Sequence, residues 1–503
     1  MVVAPVRAAT ENADDDAMPM TDDSLLASAS ATWLVEQYRR KALSPVEVLA
    51  AALARLERWQ PVINAFCFVA PERAMADARA SEVRWLRGEP AGLVDGVPVS
   101  IKDVVLTRGW PTLKGSRTSD AAGPWTDDSP VTRRLREHGA VLIGKTTTSE
   151  FGWKATGDSP LTGSTRNPWS PEHTSGGSSA GAAASLAVGI APLAVGSDGG
   201  GSIRIPAAFC GVVGLKPTQG RVPYSPPSAM SLLGHCGPMA RSVEDVALML
   251  QVIGQPDVED PYHLPAAACN GRMARREGLT GVRVAFCAEL DGLRVDPEIA
   301  AAVAAAVGRM RDLGARVDTI ASPFVQPHRV FDVLWKAGAA NVVASVAQER
   351  QPWIDAGLRR AAEEGGRMRA IDYVRADLDR TALGRTMGLF HQSCDLLVTP
   401  SVGVGALPVG AELADPERER DWQDWAGFSY PFNITRQPAL SVPCGFTRAG
   451  LPIGLQIVGA LYADEEVLAA GAALAGALPR VGLPPLPVRS GGRSSRAAGD
   501  SGA

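Results

Sequence analysis

A serine hydroxyl is almost wholly protonated at neutral pH and becomes a nucleophile only when a base takes its proton. This 503-residue chain carries two clusters in which serines stand among glycines. The first is Ser175-Gly176-Gly177-Ser178-Ser179-Ala180-Gly181. The second is Gly196-Ser197-Asp198-Gly199-Gly200-Gly201-Ser202-Ile203-Arg204. Three glycines before Ser202 allow positive φ and close backbone approach, so several N–H groups can turn toward one point. An oxyanion hole needs that arrangement, and so does a phosphate cradle. Neither cluster carries the lysine of a phosphate-binding loop, and Gly199–Gly201 do not form G-x-G-x-x-G with an acidic ribose partner.

The usual base for serine is histidine. Neither Ser178 nor Ser202 sits in a G-x-S-x-G elbow, and His173 and His235 fall in no spacing that ties them to either serine. A lysine serves instead when burial disfavours its ammonium form. Lys102 follows the short apolar stretch Gly96-Val97-Pro98-Val99-Ser100-Ile101 and precedes Asp103. A lysine there can equally pair with Asp103 at a strand end, and a glycine-rich segment can be a plain loop. Residue types alone leave both readings open.

Other chemistries find less support. The six histidines show no H-E-x-x-H spacing. The seven cysteines are scattered at Cys67, Cys210, Cys236, Cys269, Cys287, Cys394 and Cys444, with no C-x-x-C pair. No metal and no cofactor are expected, and free thiols suit a reducing cytoplasm. A net charge of −4 without a dense Lys/Arg run argues against nucleic acid or an anionic membrane as partner. The N-terminus lacks an apolar signal region and carries Asp14, Asp15 and Asp16. The uncharged stretch from Ala180 to Gly196 is broken by Pro192 and reads as a buried helix followed by a strand, not as a membrane span.

The elements that must hold these residues follow helix–glycine–strand grammar. Ser44-Pro45-Val46-Glu47 is a capping box with proline at the first helical position. Val46, Leu49, Leu53 and Leu56 follow at helical spacing. A helix opens at Ser129-Pro130 and stops at Gly139, before a strand at Ala140–Ile143. A strand at Val282–Cys287 precedes a helix from Asp296-Pro297 to about Gly314, and Arg316–Ile320 resumes as a strand. Such alternation predicts an α/β fold around a mainly parallel sheet. Residues 1–22 and 489–503 read as tails flanking one body at 23–488, helical over about 23–85. The stretches 255–280 and 400–412 read as loops.

The segment GGSSAGAAASLAVGIAPLAVGSDGGGSIRIPAAFCGVVGLKPTQG resembles the signature of the amidase signature family. The resemblance extends to DGVPVSIKDV (95–104), HGAVLIGKTTTSEFGW (138–153), GSTRNPW (163–169) and FNITRQPALSVPCGFTRAGLPIGLQIVG (432–459), and covers about 23–475. It implies a large mixed, mainly parallel twisted sheet with helices on both faces. It also implies a Ser–cis-Ser–Lys triad of Ser202 as nucleophile, Ser178 as relay and Lys102 as base. The oxyanion hole falls on the backbone N–H groups of Gly199, Gly200, Gly201 and Ser202, with Ser179, Asp198 and Arg204 as supporting groups. Gly152 and Trp153 fall on a segment lining the acyl channel, where Trp153 is either a channel wall or a residue packed under a loop. Ala180, Thr147 and Arg436 stand where the family commonly has Gly, Asn and Gly.

Ile205 replaces the glutamine of the glutamine-tRNA amidotransferase subunits, and the region 370–400 lacks their Tyr-rich pattern. The resemblance therefore implies a stand-alone hydrolase acting on a small amide, anilide, carbamate or ester, compatible with a homodimer. A glutaminase-type amidotransferase subunit is the alternative.

Overall fold

Strands with apolar residues on both faces must be covered on both sides, and this chain builds one such sheet. The computed structural model describes residues 22–265 and 278–486; apart from Asp22, the expected tails lie outside them, as does part of the 255–280 loop. In chain order the strands are β1 Phe66–Val69, β2 Pro98–Lys102, β3 Val141–Thr146, β4 Asp158–Ser159, β5 Gly163–Ser164, β6 Arg166–Asn167, β7 Ser170–Thr174 and β8 Leu193–Asp198. They continue as β9 Val213–Lys216, β10 His235–Ala240, β11 Arg283–Phe286, β12 Arg316–Thr319, β13 Leu396–Pro400, β14 Ala439–Phe446 and β15 Pro452–Gly459. Eleven of them form one sheet, ordered β1-β3-β2-β8-β10-β9-β14-β15-β13-β11-β12, and the rest make two small hairpins.

The sheet is mixed, as expected, but it is not mainly parallel. Its parallel pairs are β2–β3, β2–β8, β11–β12 and β11–β13. The six pairs across its middle and at the β1 edge are antiparallel. The α/β units at 98–146 and 283–319 were legible as helix–strand alternation. The central strands β9 and β10, and likewise β14 and β15, follow one another with no α-helix between them, and they pair antiparallel.

Side chains alternate between the faces. Val99, Ile101, Leu193, Val195, Leu215 and Leu455 join the larger core on one face. There the helices Val243–Ile253, Pro297–Asp312 and Asp464–Ala477 pack. On the other face Ala194 and Met239 meet the helices Ala180–Ala187 and Arg204–Cys210. Lys102, one residue beyond Ile101, belongs to that second face and is fully buried. The expected helices form, including Pro45–Ile63 with its Ser44–Glu47 capping box and Pro130–Glu137 with Ser129 as N-cap.

The helix Ala180–Ala187 lies close against the loop after β3. A Cβ on Gly181 would sit 1.9 Å from the Ala65 carbonyl oxygen and 2.6 Å from the Thr147 amide nitrogen. Gly181→Ala must therefore push the helix away from the backbone it packs on. The expected loss is ~1–3 kcal/mol of stability, the usual size of an overpacking penalty, read as a lower denaturant midpoint.

Candidate active site

Three lysines are wholly buried on this sheet, Lys102 on β2, Lys145 on β3 and Lys216 on β9. Burial pushes all three down from the usual lysine range, Lys102 and Lys216 to about 7 and Lys145 to about 8. Their partners differ. Lys145 Nζ donates to the Val105 carbonyl and to Thr112 Oγ1, and Lys216 Nζ to the Pro217 carbonyl. Lys102 Nζ lies among serine hydroxyls, 2.7 Å from Ser178 Oγ and 2.9 Å from both Ser179 Oγ and Ser197 Oγ. Asp103 does not pair with it, because its carboxylate accepts the amides of Leu113 and Gly115. The strand-end reading of Lys102 is thereby removed.

Both glycine–serine clusters meet at this lysine. The Gly177–Ser178 peptide is cis. The Ser179 amide donates to the Ser202 carbonyl at 3.0 Å, which ties the first cluster to the second. Ser202 is 6% exposed, and among the described residues its hydroxyl has no hydrogen-bond partner. Neither histidine serves these serines. His235 Nδ1 lies against the Leu233 carbonyl and His173 Nδ1 against Ser170 Oγ.

The second cluster is held by an ion pair. Arg204 reaches Asp198 through Nε at 3.0 Å and through Nη2 at 2.9 Å, and both residues are fully buried. Burial would raise the Asp198 carboxyl, but the charge and hydrogen bonds of Arg204, with Asn433 and Lys216, hold it well below the usual range. Asp198 also accepts the amides of Gly201 at 2.8 Å and Ile203 at 3.1 Å.

This differs from one sequence expectation. The Gly201 N–H is engaged by Asp198 and is not free for an oxyanion. The amides of Gly199, Gly200 and Ser202 have no protein acceptor among the described residues. Gly201 is still required as glycine, since its φ is +123° and a Cβ would strike Ser429.

Gly152 (φ +74°) approaches so closely that a Cβ there would lie 3.2 Å from Ser178 Oγ. The next residue, Trp153, is buried and accepts Trp335 Nε1 on its carbonyl. Lys154 then anchors the loop, with Nζ 2.7 Å from Asp158 and 3.1 Å from Asp355, and paired also with Glu412. Burial works against its charge, but the three carboxylates raise its pKa above the usual lysine range.

Sequence reasoning missed several neighbours. Ser197 stood inside the quoted cluster but had no assigned role. Asn433 and Gln456 lie in the quoted 432–459 segment, and only folding reveals that their side-chain oxygens take two of the Arg204 N–H groups. Phe331, Trp335 and Trp422 gave no motif at all. They form an aromatic layer with ring centroids 5.1 Å (Phe331–Trp335) and 5.4 Å (Trp335–Trp422) apart. The layer lies on the glycine loop, since a Cβ on Gly199 would meet Trp335 and one on Gly200 would meet Phe331 and Trp422.

One stretch outside the two clusters, Gly139–Thr146, has the spacing G-x-x-x-x-G-K-T of a phosphate loop. It forms β3 and not a loop before a helix. Gly144 lies in mid-strand, where a Cβ would sit 2.3 Å from the Phe68 carbonyl oxygen, and Lys145 is buried. No helix N-terminus is presented to a phosphate.

A family model described as Amidase matches residues 47–468. The chain is 35% identical to an acylamidase of Rhodococcus erythropolis, over 87% of this chain and 93% of that protein. It is also 35% identical to a glutamyl-tRNA(Gln) amidotransferase subunit of Symbiobacterium thermophilum, over 85% of this chain and 92% of that protein. Among solved structures, a bacterial aryl acylamidase of the amidase signature enzymes superposes with a TM-score of 0.81 at 31% identity, covering 89% of this chain and 96% of that one.

The Asp198–Arg204 pair yields a direct test. Lysine cannot reproduce the guanidinium fork that reaches Asp198, Asn433, Gln456 and the Ser429 carbonyl together. Arg204→Lys is expected to cost ~3 kcal/mol or more, as breaking a buried pair does, seen as a lowered denaturant midpoint.

Proposed function

The chain belongs to the amidase family, and from that premise we propose that it is a stand-alone serine hydrolase that cleaves amide-type bonds through an acyl-enzyme. Ser202 is the nucleophile, Ser178 the relay and Lys102 the base. The observation that carries this reading is the placement of Lys102 Nζ, buried and 2.7 Å from Ser178 Oγ, while the other two buried lysines touch no serine.

Neutral Lys102 takes the proton of Ser178 as Ser178 takes that of Ser202, whose Oγ forms a bond to the substrate carbonyl carbon. The carbonyl π pair moves onto oxygen, where the amides of Gly199, Gly200 and Ser202 donate to it. When the tetrahedral carbon collapses, the C–N bond breaks and the leaving nitrogen receives the proton through the same relay. Water then adds to the acyl-enzyme by the reverse route and releases the acid and free Ser202.

Esters and carbamates offer the same carbonyl to the same groups, so bond type is set by the walls of the site. The indole wall of Trp153 and Trp422 beside the glycine loop favours aryl or bulky apolar substituents. It also weighs against a glutaminase-type subunit, whose substrate side chain is small and polar. The six described cysteines are free, which fits a reducing compartment such as the cytoplasm.

The base must be neutral to act, and Lys102 loses its proton as pH rises through about 7. Below that value kcat/KM is expected to rise ~10-fold per pH unit, with a plateau above it. A flat profile from pH 5 to 9 would remove Lys102 from the base role. Lys102→Ala, Ser178→Ala and Ser202→Ala should each lower kcat by ~10³-fold or more. Near-normal turnover by Ser202→Ala would sink the assignment.

A panel of p-nitroanilide, p-nitrophenyl ester, primary amide, aryl carbamate and free glutamine separates the substrate classes. Anilide cleavage with no ammonia released from glutamine is the expected result. Preferential release from glutamine would favour the amidotransferase reading.

A further inference from the structure

Beside the aromatic layer lies a cavity of about 690 Å³, lined in part by Trp153 and Trp422. That volume is in the range of small-molecule sites. It borders the catalytic loops on two sides. Trp422 packs against Gly200, and Trp153 follows the Gly152 that abuts Ser178.

The charged groups lining the cavity are mostly engaged with one another. Asp332 and Glu364 flank Lys336 at 2.6 and 2.7 Å, and Glu412 pairs with Lys154. Asp424 accepts the Arg420 amide and faces His328 Nε2 at 3.5 Å, while Asp421 accepts the Gln423 amide. Arg360 and Arg420 are exposed.

Four buried side-chain atoms of lining residues have no hydrogen-bond partner, His328 Nε2 and three neutral ones. Trp153 Nε1 and Trp422 Nε1 are buried donors without an acceptor, and Gln423 Oε1 is a buried acceptor without a donor. Their residues are 5%, 4% and 2% exposed. The nearby indoles behave differently. Trp335 Nε1 donates to the Trp153 carbonyl and Trp425 Nε1 to the Glu412 carbonyl. The Gln423 orientation is fixed chemically, because Asp332 can only accept and so draws Nε2 at 3.4 Å, leaving Oε1 outward. Buried polar atoms ordinarily find partners, and here two indole donors and one amide acceptor, beside His328 Nε2, belong to residues lining the same cavity.

We propose that this cavity is a subsite for a second, neutral amide-like group of the substrate, remote from the scissile carbonyl. The two indole N–H groups donate to its carbonyl oxygen, and Gln423 Oε1 accepts its N–H. A plain alkyl chain leaves all three unpaired, and a carboxylate supplies no N–H for Gln423. The proposal rests on the hydrolase reading for the position of the scissile bond and adds the substrate class, compounds with a second amide, urea or carbamate.

The experiment measures binding and needs no turnover. S202A protein is titrated calorimetrically with N-acetyl-ω-aminoalkanoyl anilides of increasing chain length and with alkanoyl anilides of matched length. At one or more lengths the amide-bearing compound is expected to bind at least ~10-fold more tightly, the worth of one well-made hydrogen-bond set. The ratio is expected to fall to within about twofold in S202A proteins also carrying Q423L or W422F. Equal affinity of the matched pairs at every length overturns the proposal, as does a preference that survives both variants. Thermal melting confirms that each variant is folded, and if W422F is not, Q423L decides alone. Wild-type protein that cleaves none of these anilides removes the hydrolase reading, while the affinity ratio still decides what the cavity binds.

Discussion

The buried pair of Asp198 and Arg204 is the interaction on which the site depends. A charge pair with no solvent contact pays a desolvation penalty that its mutual attraction barely offsets, so its contribution to net stability is small. Its effect is positional. Asp198 accepts two backbone amides of its own loop, and Arg204 spreads its remaining N–H groups over Asn433, Gln456 and the Ser429 carbonyl. The glycine loop, which has little conformational preference of its own, is thereby referenced to β15 and to the segment before β14. Asp198 engages the Gly201 amide, while the amides of Gly199, Gly200 and Ser202 keep no protein acceptor among the described residues.

The same logic governs the lysine. A lysine in a two-sided sheet interior loses the hydration that stabilises its charge. Three such residues stand on β2, β3 and β9, so burial alone does not single out a base. The difference lies in what surrounds each nitrogen, carbonyl and threonine oxygens for two of them and three serine hydroxyls for Lys102. Fold placement supplies the shifted acidity, and local residue choice decides what the shift is used for.

Much of this was legible before folding. The Ser44 capping box, the Ser129-Pro130 start and the helix–strand alternation at 283–319 are local signals, written within a few residues. The two glycine–serine clusters and Lys102 were visible as residue types, but only as one option among several. What could not be read is what depends on pairing across long separations. The antiparallel middle of the sheet, the grip of Asn433 and Gln456 on Arg204, and the aromatic layer all join residues far apart along the chain. Arg436 shows the reverse case. Its left-handed φ of +66° explains why glycine is common at that position in the family it resembles, a backbone requirement that no pattern in one sequence displays.

Strand β8 ends with Ser197 and Asp198, consecutive residues whose side chains leave on opposite sides. One touches Lys102 and the other Arg204. A one-residue insertion or deletion before that point would exchange the two sides and take Ser197 from Lys102 and Asp198 from Arg204 together. The reacting centre is therefore intolerant of length changes here. Phe331, Trp335 and Trp422 come from a separate helix and a loop far along the chain. Substitutions in that layer leave the pairing register of β8 untouched, so its composition can change while the strand holds Ser197 and Asp198 in place.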